Sequence, residues 1–406
     1  MIHVPSHRAS KTPPSDLDNK PTSQRYRKPE ATLGAAPMLL ANAAVQTPVA
    51  ALNTGHPVSA LEGCPITSYE NWVLAGGTGH LTLLYVDTTT DAENIDIKDD
   101  LPHKGALDAI AWGSAASGLH AAAVGGGTVV VHRFSDKVGE LFKLALPTNS
   151  LFAPTRSCCF LDGSIERLAV VGDDCRCHLL QLAHTRGIAA TADSAPPAAV
   201  ERTYSLSSPG VAVRTHSREP SQLMIAEEDG KVHFVDLRMP GTRPSLSRDL
   251  PAGETDPGGL RDADWSSCDP YHVGGVCGKR WFVWDLRQAG VAPKPYVGET
   301  QLSGALCFRW HPYAASFATA GATVEPSRAH VQLNDLQPVD AAPATGAAAG
   351  WASGAASPPR LFAHDLPTRV ATISWLYTQP PLLLGAADTK VCLWSPRPDG
   401  PSSAIM

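Results

Sequence analysis

Three groups of residues in this chain are of types that could do chemistry. Cys158 and Cys159 are adjacent, and Cys175 and Cys177 stand two apart. A two-residue step places both side chains on one face of a strand, with the 158–159 pair expected on the neighbouring strand. Thiolates ligate soft metals, but a structural zinc site takes four ligands at matched spacing, and no paired CxxC occurs. Free cysteine is a common core residue, so no metal is expected. Gly125, Gly126 and Gly127 could cradle a phosphate only with a helix N-terminus behind them. The run that follows, 128–131 (TVVV), reads as a strand, so a tight turn is expected. Glu227, Glu228 and Asp229 read as the solvated edge of a hairpin. GxSxG, HExxH and Walker motifs are absent. No catalytic residue, cofactor or small-molecule substrate is expected, and the chain does not read as an enzyme.

A fourth pattern points to partner binding. Asp236 and Arg238 (VDLR) recur at the same phase as Asp285 and Arg287 (WDLR). The paired motif resembles the one by which WD-repeat substrate receptors dock onto the propeller adaptor of cullin–RING ubiquitin ligases. Two guanidinium forks on one rim could hold carboxylates or carbonyls of a partner. The plainer reading is that each Asp and Arg end a strand and pair locally, which contributes little.

The phase shared by those motifs belongs to the whole chain. Short strands with apolar or aromatic centres begin at 81, 129, 177, 232, 281, 330 and 391, at intervals of 48 to 61 residues. Each follows a turn, most of them bearing glycine, and an apolar run such as 120–124 (HAAAV) or 382–384 (LLL). Further upstream, inner strands end in Trp112, Phe160, Trp265, Trp310 and Trp375. Runs that are apolar throughout suit strands covered on both faces. A strand-only repeat of this length predicts an all-β fold, a seven-bladed WD40-type β-propeller. The last repeat lacks an outer strand, and 43–50 (AAVQTPVA) is the expected donor that closes the ring, with Pro48 on the exposed edge. WD network residues are sparse: His364, Asp388 and Trp394 in the last repeat, with Ala386 in place of a hydroxyl; Asp229 in the fourth; Trp284 and Asp285 in the fifth, with Gly278 in its turn. They read as structural.

The expected organisation is a disordered tail over 1–34, the propeller over 43–396 and a flexible tail over 397–406. A low-complexity insertion over 338–359 separates two blades, with Trp351 as its one anchor, and 182–200 is a milder insertion. The formal charge is −6, with acids and bases interspersed, so direct nucleic-acid binding is not expected. No secretory signal opens the chain, and the apolar stretch 35–52 is broken by Asn42, Gln46, Thr47 and Pro48, so membrane insertion is not expected. Nine cysteines then read as reduced thiols of an intracellular protein.

From Ser208 onward a family resemblance appears. The order 208–211 (SPGV), 223–230 (LMIAEEDG), 273–278, 281–285 (WFVWD), 305–310 (ALCFRW), 317–321 (FATAG), 384–388 and 391–394 (VCLW) resembles the nucleoporin thirty-seven family. Residues 109–112 (AIAW) and 75–77 fit more loosely. The resemblance implies a non-enzymatic scaffold subunit of the nuclear pore at the nuclear envelope. It implies docking on the large propeller-plus-helical nucleoporin in a short arm of the Y-shaped outer-ring complex. Support of pore assembly, and with it of mRNA and protein transport, would follow. The tail, 182–200 and 338–359 depart from the family pattern.

Overall fold

A computed structural model describes residues 45–89, 93–115, 118–134, 138–146, 154–161, 164–182, 198–216, 218–250, 258–288, 295–322, 330–336, 359–363 and 369–396. The expectations for 1–34, 397–406, His364, Trp351 and nearly all of 338–359 lie outside these residues. The chain divides into Met1–Asn42 and Ala43–Met406, and the second unit holds every described residue. Among the described residues each regular element is a strand.

Valine, alanine and leucine runs broken by turns leave the chain no choice but short antiparallel hairpins, and these fold into seven sheets. The second blade shows the plan: Ala109–Ala115 innermost, then Gly118–Gly125, Thr128–Phe134 and Val138–Ala145 outermost. Gly126 and Gly127 take φ +55° and +75° between its middle strands, a left-handed turn that side chains resist. In the first blade, Val58–Gly63 pairs with Trp72–Asp87, which runs unbroken through the turn at Gly79 (φ +84°), and Asn94–Ala106 lies outermost. The third blade is Thr155–Phe160, Arg167–Gly172, Arg176–Gln181 and Ala199–Ser205. The fourth is Gly210–Thr215, Gln222–Glu227, Lys231–Asp236 and Leu246–Asp249. The fifth is Leu260–Trp265, His272–Cys277, Arg280–Asp285 and Tyr296–Glu299. The sixth runs Gly304–Trp310, Ser316–Ala322, Val331–Asp335 and Arg360–Phe362; the seventh begins with Thr372–Leu376, Leu382–Ala387 and Lys390–Trp394.

The core is distributed rather than central. Seven apolar clusters form, and each joins one blade to the next, so that seven blades have seven seams. The cluster uniting the seventh blade with the first contains Leu376, Leu384 and Leu393 against Val58, Leu61 and Val73. That seam makes the array a closed ring. Aromatic side chains enter seams where a glycine leaves room. A Cβ on Gly274 would lie 2.1 Å from the Phe308 ring of the following blade, and one on Gly113 would lie 2.6 Å from Phe160.

Closure uses the N-terminal segment in a shifted register. Ala50–Asn53, not 43–50, pairs antiparallel with Lys390–Trp394 and completes the seventh blade. Val45–Gln46 instead pairs parallel with Leu361 and Phe362, adding a fifth strand to the sixth blade. Pro48 explains the break. It has no N–H to donate, and the seventh-blade ladder starts one residue later, where Val49 donates to the Leu393 carbonyl at 2.8 Å.

One buried histidine makes stability depend on pH. His132 is buried, and neither ring nitrogen has a hydrogen-bond partner among the described residues. Burial, with His103 nearby, pushes its pKa down to about 4. Folding therefore favours the neutral ring. The stability this contributes is full above about pH 6.5 and is lost as the pH falls toward 4. His132→Leu is expected to flatten the fall in melting temperature between pH 7 and pH 5, followed by circular dichroism. Parallel curves for the two proteins would refute this account.

Candidate functional site

Antiparallel order places the first-to-second and third-to-fourth strand connections of every blade on one face of the ring. The remaining connections lie on the other. The first face carries Tyr69, Tyr271 and Tyr313, 39%, 48% and 50% exposed, and Met239 at 62%. Pro270 and Pro312 precede two of those tyrosines. Tyr313 donates its hydroxyl to the Tyr377 carbonyl at 2.5 Å, linking sixth and seventh blades. The opposite face has a different chemistry. Among the described residues none of the exposed large apolar side chains lies in its turns, which carry Asp108, Asp173, Asp174, Glu228 and Asp229.

Asp236, Arg238, Asp285 and Arg287 lie at the edge of the tyrosine-bearing face, in the fourth and fifth blades. Arg238 grips Asp236 with Nε to Oδ1 at 2.9 Å and Nη2 to Oδ2 at 2.8 Å. Arg287 repeats the fork on Asp285 at 2.9 and 3.0 Å. In each pair the arginine backbone N–H also donates to the aspartate at 3.0 Å. The Arg238 fork holds the Asp236 pKa down to about 2. Burial acts against Asp285, but the hydrogen bonds from Arg287 outweigh it and its pKa is lowered too. The arginine side chains protrude, 67% and 51% exposed, above aspartates at 17% and 11%. Arg287 also lies 5.1 Å over the Tyr271 ring, a cation–π contact that joins the charged motif to the aromatic surface.

The seven inner strands enclose a channel of about 440 Å³. Its charges pair with one another across blades. Arg309 is bonded to Asp262, Arg214 stands 3.5 Å from Asp264, and the Arg214 Nη1 donates to Ser157 Oγ at 2.6 Å. Asp262 and Asp264 also accept the backbone N–H groups of Phe308 and Trp310, each at 3.0 Å. Burial raises the pKa of Asp264 and of Glu62. The channel thiols Cys159 and Cys307 are pushed up to about 12 by burial, and Cys158 goes higher still. They stay protonated at neutral pH, the form that neither attacks nor ligates.

Two readings of the sequence need correction. Cys175 lies in a turn at φ +55°, and only Cys177 is in the following strand; Arg167–Gly172 separates that strand from Cys158 and Cys159. The four thiols therefore do not converge. Glu227 is no solvated edge: it is fully buried. It accepts from the Ser207 and Ser208 N–H groups, the Ser207 hydroxyl and His233. Burial pushes its pKa up, but these hydrogen bonds prevail and hold it below the usual carboxylate range. The third blade has a similar device, in which His178 links Asp174 and Thr203 at 2.8 and 3.2 Å. Blades with few of the WD network residues thus assemble others.

The ring and its asymmetric faces define a WD-type seven-bladed β-propeller, a fold that presents surfaces to partners. No family model matches the chain. It is similar to nucleoporin Nup37 of mouse, 33% identical over 122 residues, and to human Nup37, 31% identical over 120 residues; each match covers 29% of this chain and 34% of the relative. Fruit-fly Nup37 is 27% identical over 95 residues, which is 23% of this chain and 26% of the relative. The chain is thus matched over about a third of the length of these curated relatives or less, and over that stretch it is Nup37-like.

Proposed function

We propose that this protein is a structural nucleoporin: a propeller subunit of the Y-shaped outer-ring complex of the nuclear pore. It docks on the large propeller-plus-helical nucleoporin of a short arm, at the nuclear envelope, and supports pore assembly and nucleocytoplasmic transport. The likeness to Nup37 supports the family-level reading. The observation that carries the binding role is the concentration of Tyr69, Tyr271, Tyr313 and Met239 on one face. Tyrosine and arginine are the residues on which interface energy concentrates. The cullin–RING reading rests on Arg238 and Arg287 alone, and both forks are already closed on their own aspartates.

Tagging at the endogenous locus, followed by affinity purification and mass spectrometry, tests both readings. Wild type and Arg238→Ala/Arg287→Ala are expected to recover the large arm nucleoporin alike, because exposed ion pairs contribute about 0–1 kcal/mol. Tyr271→Ser/Tyr313→Ser is expected to reduce recovery at least about thirtyfold, the effect of one hot spot near 2 kcal/mol. Recovery of cullin and adaptor by wild type, their loss in the arginine variant and no nucleoporin in any sample would overturn the proposal.

A further inference from the structure

The first blade holds a side-chain group that the partner-binding role does not use. His56 lies in the turn between the closing strand and the inner strand, His80 in the turn within Trp72–Asp87, and Asp100 on the outer strand. One nitrogen of each histidine and one carboxylate oxygen all lie within 4.8 Å of one another. The third and fourth blades place one imidazole beside a carboxylate at the corresponding rim, whereas the first blade brings two. We propose that His56, His80 and Asp100 form a binding site for a divalent cation of the zinc class.

The donor set is that of an open zinc site, with two imidazoles, one carboxylate and a fourth position left to water. At metal–ligand distances near 2.1 Å, neighbouring ligand atoms on a tetrahedral ion are about 3.4 Å apart. His80 Nδ1 and Asp100 Oδ2 are 3.0 Å apart, so an ion that replaces the hydrogen bond between them must part them slightly. Thr82 supplies the outer support that such sites use. Its hydroxyl donates to Asp100 Oδ1 at 3.0 Å and lies 3.1 Å from His56 Nε2. His56 is buried, while the His80 and Asp100 side chains are each 41% exposed, which gives the ion a fixed base and an open entry. The two rings are stacked at 4.4 Å with planes 14° apart, so binding requires His80 to swing out of the stack until the lone pairs converge.

The placement gives the ion a structural task. Thr54, two residues before His56, is bonded through its N–H and its hydroxyl to the Thr389 carbonyl of the seventh blade, both at 2.9 Å. A cation on His56 would pin the turn that leads out of the closing strand to two other segments of the first blade.

Titration of the metal-stripped full chain with zinc chloride by calorimetry tests the site. One saturable equivalent is expected, with a rise in melting temperature that EDTA reverses. His80→Ala and Asp100→Asn change exposed side chains and are expected to stay folded while losing that equivalent. Thr82→Val is expected to weaken it about ten- to a hundredfold. Cobalt substitution distinguishes the ligands, since imidazole and carboxylate give no thiolate-to-cobalt charge-transfer band. Absence of saturable binding, unchanged binding in both variants, or a thiolate band would each overturn the proposal.

Discussion

Deleting residues 1–53 is expected to destabilise the ring by about 3–5 kcal/mol and to make the protein aggregate, whereas the intact chain melts cooperatively. The estimate combines a four-residue ladder, at about 1 kcal/mol per hydrogen bond, with about 1.5 kcal/mol of apolar burial at Leu52. The ladder pairs Ala50, Ala51, Leu52 and Asn53 with Leu393, Cys392, Val391 and Lys390. Ala50 and Leu52 pack on the cluster that joins the last blade to the first. Loss of that strand bares Lys390–Trp394 as an unpaired edge, a template for association between chains. Leu52→Pro tests the same feature without shortening the chain, because proline breaks the ladder at one point. Differential scanning fluorimetry and light scattering read both effects. If both proteins melt with wild-type midpoints and stay monomeric, the closure described above does not hold the ring together.

Arg309→Met is expected to cost a comparable amount, about 3–5 kcal/mol, because it strands a buried carboxylate. Asp262 is 10% exposed and Arg309 15%. Removing the guanidinium leaves Asp262 with the N–H groups of Ala263 and Phe308 and the more distant Arg214. Asp262→Asn added to Arg309→Met is expected to recover part of the loss, since a neutral amide no longer needs the cation. Urea denaturation of the two single variants and the double variant gives the coupling directly. A loss below about 1 kcal/mol in Arg309→Met would mean that water in the channel solvates the aspartate.

The blades were legible because their causes are local. Apolar runs of strand length, glycine at left-handed turns and an aromatic at the end of the inner strand recur within one repeat, so a single chain displays them several times. Closure was legible as a need, but its register was not, because it turned on which side of Pro48 the ladder began. The channel was hidden for a different reason. Glu62, Arg214, Asp262, Asp264 and Arg309 come from four blades, and only the ring brings them together. Glu227 was misread because its partners lie at Ser207, Ser208 and His233; two hydroxyls before one strand and an imidazole in another were the available signal. The tyrosine-bearing face did leave a mark. Pro270-Tyr271 and Pro312-Tyr313 follow the inner-strand tryptophans Trp265 and Trp310 within the same connection of successive blades, a repeated Pro-Tyr step on one face.

The strand that seals the ring is made before the first blade and used after the last. Leu52 pairs with Val391, so most of the chain must leave the ribosome between the two. At synthesis rates of about 5–20 residues per second, the earlier strand waits roughly 17–70 s for its partner. Five seams, each between blades adjacent in sequence, can form during that interval; the sixth needs Cys392 and Trp394 and, like the seventh, cannot be completed. Until release of the last repeat, the nascent protein is an open crescent with an unpaired strand at either end. Completion of the ring thus waits for synthesis of the last repeat, and a product truncated before Lys390 carries both bare edges from the outset.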